Sequence, residues 1–201
     1  MSVATRRARS RRGERGSAII EAALATPVFF LMLFGVMEIG LLLRTDLTTT
    51  HASRDGARAA SVFGREAETD FLVLQTIRHG IDAIGVDDIE YVVIYRLASP
   101  TDVMDPACRT TSQVGICNRY VRADFDLALD YTNGNPTPNF RCGPAAVDRF
   151  WCPGDRDSSI ETADYVGVFI ETEHQYITGF FGENQRLSET TVIRIEPELN
   201  Q

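Results

Sequence analysis

The chain has 201 residues and a net charge of −8, from 28 acids against 20 basic residues that are all arginine. Arg6, Arg7, Arg9, Arg11, Arg12 and Arg15 precede the first apolar run with one acid, Glu14, whereas after Arg44 there are 13 arginines and 25 acids, a balance of −12. The basic stretch abuts an apolar span and reads as a topology signal, so nucleic acid is not an expected partner.

Residues 1–12 have no apolar pattern and are expected to be disordered in the cytoplasm, within a basic tail or leader at 1–16. From Ala22 to Leu43 the only polar side chains are Thr26 and Glu38. At ~1.5 Å per residue this run covers about 30 Å, the thickness of a bilayer's hydrocarbon core. A transmembrane helix is therefore expected over 17–44. Positive flanks stay in the cytoplasm, which places the rest of the chain outside a single-pass cell membrane anchor. The run exceeds a signal peptide's apolar region, and no small-x-small site closes it before Arg44, so it is expected to be retained. Pro27 is near enough to the start to be tolerated with at most a mild kink. Glu38, five residues before the outer end, has two readings: its side chain snorkels to the interface, or it meets a partner helix.

After Arg44 the helical period continues through Thr45, Thr49, Ala52, Gly56, Ala59 and Phe63, a stripe of mostly small residues over an extension at 45–63. Such a stripe suits close packing on the chain's own head or on another helix. Gly64 ends it. Ala67, Phe71, Leu74, Ile77, Ile81 and Ile84 then predict a second helix, with acids crowding its first turns and Gly85 stopping it.

Four strands are predicted: Ile89–Leu97, Val121–Leu129, Tyr165–Thr172 and Thr190–Ile195, the last stopped by Glu196-Pro197. The fold class is α+β: a long N-terminal transmembrane helix extends into a small extracytoplasmic head at 64–201, where a helix packs on an antiparallel sheet. About 140 residues suffice for a modest core.

Two long loops hold the four cysteines. In an oxidising compartment an even count reads as disulfides, and of three pairings Cys108 with Cys117 and Cys142 with Cys152 are favoured, since each closes a long loop. The spacings are too wide for a zinc site. The stretch Asn133-Gly134-Asn135-Pro136-Thr137-Pro138 reads as an exposed turn. Between the last two strands, Gln175-Tyr176-Ile177-Thr178-Gly179-Phe180-Phe181-Gly182 either tucks over the core or forms a contact patch for a partner or the membrane surface. Ile177, Phe180, Phe181 and Glu38 are thus candidate partner contacts.

No catalytic motif is present. His51, His79 and His174 lie on unrelated predicted elements, and Asp155-Arg156-Asp157-Ser158 and Asp124-x-Asp126 lack the glycine and terminal glutamate of a calcium loop. The acids read as solvated surface, and no enzyme activity, cofactor or metal is expected.

Around the span, Gly16-Ser17-Ala18-Ile19-Ile20-Glu21-Ala22-Ala23-Leu24, Pro27, Phe34-Gly35-Val36-Met37-Glu38-Ile39-Gly40 and Ser53-Arg54-Asp55-Gly56-Ala57-Arg58 resemble the TadE-like family, pseudopilins of the tight-adherence (Flp, type IVb) pilus system. The resemblance runs from about Arg15 to Ala60. It implies that a prepilin-type peptidase cuts after Gly16, leaving an amine on Ser17 and a glutamate, Glu21, five residues into the product. Where Phe or Tyr usually follows that glutamate, this chain has Ala22. The amine lies one helical turn from Glu21, whose carboxylate is favoured near a helix N-terminus and can pair with a neighbouring subunit's amine. The implied function is a non-enzymatic pseudopilin or minor pilin-like component of a Tad-type assembly or secretion system. Its implied partners are other pilins and pseudopilins, platform proteins and the prepilin peptidase. The alternative is a membrane-tethered binding or regulatory module with no pilus role. A reporter enzyme active only outside the cytoplasm, fused after Gln201, is expected to be active; activity only from a cytoplasmic reporter there would reverse the topology.

Overall fold

A computed structural model describes residues 12–127, 131–132, 135–136 and 139–197. The disorder expected at the N-terminus falls on residues that, from 1 to 11, lie outside the described ones. So do 133–134 and 137–138 of the predicted turn and 128–129 of the second predicted strand.

One helix, α1 (Arg12–Phe63, 52 residues), carries both the apolar span and its extension without a break. Along its first half apolar side chains point outward on every face: Ile19, Leu24, Phe29, Leu33 and Val36 are all exposed. Pro27 sits inside the helix, and the hydroxyl of neighbouring Thr26 donates to Ala22 O at 2.6 Å. From Glu38 onward one face turns inward, with Glu38, Thr45, Thr49, Ala52, Ser53, Gly56, Ala57 and Ala60 buried. The small-residue stripe therefore packs on the chain's own head. Gly64, at φ +45°, ends the helix and donates its N–H to Ala60 O at 3.1 Å.

Helix α2 (Thr69–Ile81) buries Phe71, Val73, Leu74, Ile77 and Ile81, the periodic positions together with Val73. It is shorter than its pattern. The Thr69 hydroxyl donates to Glu66 O at 2.7 Å, and the N–H groups of Ile84 and Gly85 both close on Ile81 O. Helices α1 and α2 approach closely because small residues face each other. A Cβ added at Gly80 would lie 3.3 Å from Ala52, and one at Gly56 would lie 2.8 Å from Ile77 Cγ1.

The head's sheet has four antiparallel strands: β1 (Ile89–Leu97), β2 (Cys117–Val121), β5 (Tyr165–Gln175) and β6 (Asn184–Arg194), ordered β2-β1-β5-β6. A separate two-residue ladder pairs β3 (Tyr131–Thr132) with β4 (Asn135–Pro136). One face of the main sheet packs Val92, Ile94, Val166, Val168 and Ile170 against α1 and α2. The other packs Tyr91, Val93, Tyr95 and Phe169 around Cys108 and Cys117. The structure pairs Cys108 with Cys117 and Cys142 with Cys152, at Cα separations of 6.2 and 5.6 Å.

Of the strand predicted at Val121–Leu129, the described residues after Val121 do not form a strand. Residues Arg122–Leu127 are a short helix, α3, and the pairing strand lies before it. The Asp124 carboxylate accepts the Val121 N–H at 2.7 Å, the acid-to-cap half of a capping box, which starts a helix where alternation suggested a strand. Among the described residues of the alternating apolar set, only Phe125 is fully buried. The last strand also begins earlier than predicted, at Asn184 rather than Thr190, and β5 extends to Gln175.

A buried polar cluster ties the layers together. Asp70 on α2 accepts the Tyr120 hydroxyl at 2.5 Å and the Asn118 amide at 2.9 Å, both from β2, and pairs with Arg156. The Arg156 guanidinium stacks on the Trp151 ring, 4.4 Å from its centroid. Burial, reinforced by the Asp70 charge, pushes the Tyr120 hydroxyl well above its ordinary pKa. Removing one partner of a buried ion pair strands the other, so Asp70→Ala is expected to lose about 3–5 kcal/mol, read as a lower urea midpoint. Adding Arg156→Met should restore part of that loss.

Candidate assembly and membrane interface

The hairpin formed by β5 and β6 lies along α1, and side chains latch the two together rung by rung. Farthest from the apolar span, the Ser61 hydroxyl donates to Arg194 O at 2.7 Å. Ser53 Oγ lies 3.0 Å from both Val168 O and Thr191 Oγ1. Thr49 Oγ1 is 3.1 Å from Thr172 Oγ1, and Thr45 Oγ1 is 3.0 Å from His174 Nδ1. At the tip, the N–H of Thr178 donates to Glu38 Oε1 at 2.5 Å. Glu38 is fully buried, and its Oε2 has no hydrogen-bond partner among the described residues.

The hydroxyls make this contact possible within a helix. Thr45 and Thr49 also donate to the carbonyls of Leu41 and Thr45, so they remain satisfied where they are buried.

The structure therefore brings Glu38 together with the Ile177–Phe181 loop; the Glu38–Thr178 contact spans 140 residues of chain. Ile177, Phe180 and Phe181 are 68%, 60% and 54% exposed, so the loop does not tuck into the core. A Cβ at Gly35 would lie 3.9 Å from Phe181 Cζ, which places that ring against α1 one turn below Glu38. Beside the latch, Arg44 donates to Ala83 O at 2.7 Å. Burial pushes the Asp88 carboxyl above its ordinary value, opposed by His174 and reinforced by Asp87.

Gly16, Ser17 and Glu21 lie elsewhere, on the uncovered arm of α1. All three are exposed, and a Cβ at Gly16 would meet nothing within 4 Å. Ser17 and Glu21 are four residues apart and share a helix face.

The remaining candidates have structural roles. The Asp157 carboxylate accepts the Thr162 hydroxyl at 2.6 Å and the Ser159 N–H at 2.8 Å, which hold its pKa down to about 2. Neighbouring Arg156 is buried against Asp70 rather than solvated. His79 Nδ1 lies 2.7 Å from Gln75 O of its own helix, beside an open groove of about 750 Å³ between α1 and α2. Among the described residues no three His, Cys, Asp or Glu side chains are grouped to hold a metal ion. Sequence reasoning missed Ser53, Ser61, Thr172, His174 and Thr178 as latch residues. The one available signal was the recurrence of hydroxyl residues on the inward face of α1.

Among the described residues one helix is long and apolar enough to cross a membrane, with none of its most apolar stretch buried, which marks a single-pass membrane protein whose span continues as the core helix of an α+β head. Residues 16–58 match the family model described as TadE-like protein. The match takes in the uncovered arm and most of the latched half of α1, and it ends before α2 and the sheet. No curated protein and no solved structure gives a significant match to the chain.

Glu38→Ala removes the acceptor that holds Thr178 to α1. Losing one such bond is worth about 1.4 kcal/mol, so amide exchange at Thr178 is expected to quicken about tenfold. Unchanged exchange in the full chain would show that the contact has no weight.

Proposed function

We propose that this chain is a membrane-anchored pseudopilin or minor pilin-like component of a Tad-type (Flp) pilus assembly or secretion system, acting through protein contacts rather than catalysis. The supporting observation is the TadE-like match over residues 16–58, which begins at Gly16 with Glu21 five residues beyond it. In this reading residues 1–16 face the cytoplasm, and a prepilin peptidase reaches Gly16 where the chain enters the lipid. The exposed, unobstructed backbone at Gly16 suits such an approach, which a larger side chain would crowd. The head then lies across the membrane and presents its surface to other pilins and to the assembly platform.

The arm from Gly16 to Phe34 supports an assembly role in a second way. No part of the head covers it, and its apolar side chains are free on all sides to meet lipid or neighbouring helices. After cleavage the Ser17 amine would lie one turn from Glu21 and within reach of a neighbour's carboxylate.

Protein purified from a host with the matching peptidase is expected to begin at Ser17. Gly16→Val should leave the basic tail attached and stop assembly without unfolding the head. Glu21→Ala should be milder for cleavage and worse for incorporation. A wild-type chain still beginning at Met1 or Ser2 would overturn the pilin-like reading and leave a tethered binding module.

A further inference from the structure

The tip of the β5–β6 hairpin projects down α1 to the apolar span. Thr178 bonds to Glu38, and Phe181 Cζ lies 3.9 Å from where a Cβ on Gly35 would stand, both well before the apolar run ends at Leu43. The stretch of α1 below that contact, Gly16 to Met37, is 22 residues and about 33 Å long, already the thickness of a hydrocarbon core. If the lipid instead covers Ala22 to Leu43, the level of Gly35 lies about 12 Å inside it. On either placement the tip meets lipid.

Its composition fits. From Gln175 to Gly182 there is no charged side chain, and Ile177, Phe180 and Phe181 are exposed. Tyr176 stands beside them, its ring 6.0 Å from that of Phe181. Aromatic residues favour the boundary between headgroups and acyl chains.

Backbone near lipid must satisfy its own polar groups. Here the N–H of Thr178 reaches Glu38, that of Tyr176 reaches Glu183 O at 3.0 Å, that of Gly182 reaches Gly179 O at 3.3 Å, and that of Phe180 reaches Thr178 Oγ1 at 3.4 Å. Glu38 thus serves as an internal acceptor for a loop at membrane depth.

We infer that the Tyr176–Phe181 tip is a second membrane-contacting element, inserting Ile177, Phe180 and Phe181 into the leaflet on the head's side of the bilayer. The inference rests on α1 being the membrane span and goes beyond the proposed pilus role. Lipid is the occupant because the patch is continuous with the lipid-facing surface of α1.

The test uses the full chain reconstituted in phosphatidylcholine vesicles whose acyl chains carry bromine, a contact quencher of tryptophan. Trp151, 3% exposed within the head, sets the unquenched baseline. Phe180→Trp is expected to add emission that is shifted to the blue and largely lost in the brominated vesicles. Phe30→Trp, in the span, reports on the anchor separately. If Phe30→Trp is quenched and Phe180→Trp is not, tip insertion is overturned and the span stands. If neither is quenched, both fail. A Phe180→Trp signal shielded from aqueous acrylamide yet untouched by bromine would also overturn lipid insertion, and would assign the patch to a protein contact.

Discussion

The structure depends on one helix serving two environments in succession. Lipid asks a helix to be apolar all round, and a small domain asks it to be apolar, or small and internally satisfied, on one face. In α1 the change occurs at Glu38, the first fully buried residue from Gly16 onward along the helix. Before it lie Phe29, Phe30 and Leu33, exposed on all sides; after it lie Thr45, Thr49, Ser53 and Gly56, small enough for the sheet and α2 to press close. Because the latch hydroxyls bond both to their own helix and to the hairpin, the contact needs few large apolar side chains.

The rest of the head is held by devices suited to a domain with a modest core. Asp70 and Arg156 place an ion pair where α2, β2 and the loop around Trp151 converge, and Asn118 bonds to the backbone of Trp151 from the same strand. The two disulfides fasten the long loops next to this cluster and to the outer face of the sheet. Near Cys142, Asp148 accepts the N–H groups of Arg141 and Cys142, both at 2.9 Å, and so holds two non-glycine residues at positive φ.

Elements with long unambiguous periods were legible in the sequence. The helical repeat of α1 and the strand Ile89–Leu97 are found where apolar spacing puts them, and α2 covers the repeat from Phe71 to Ile81 but not its ends at Ala67 and Ile84. Alternation failed at Val121–Leu129 because it cannot see a capping acid: Asp124 reaching back to Val121 turns the same residues into a helix. The strand from Asn184 was undercounted because its first half is polar and exposed, so no apolar pattern marks it. That hidden length extends the hairpin far enough to bring its tip, through Thr178, to Glu38, a contact between segments that sequence shows only as separate oddities. The reading of Gly16, Ser17 and Glu21 as processing residues rests on resemblance alone, and all three are exposed on α1.

The latch also makes the molecule a lever. With rungs from Ser61 to Glu38, the head has no hinge against α1, so it turns when the helix turns. From Glu38 to Phe63 the helix runs about 37 Å, and a tilt of about 20° in the bilayer would swing its far end sideways by about 13 Å. The tilt that α1 takes in a bilayer thereby sets where the head's outer surface stands.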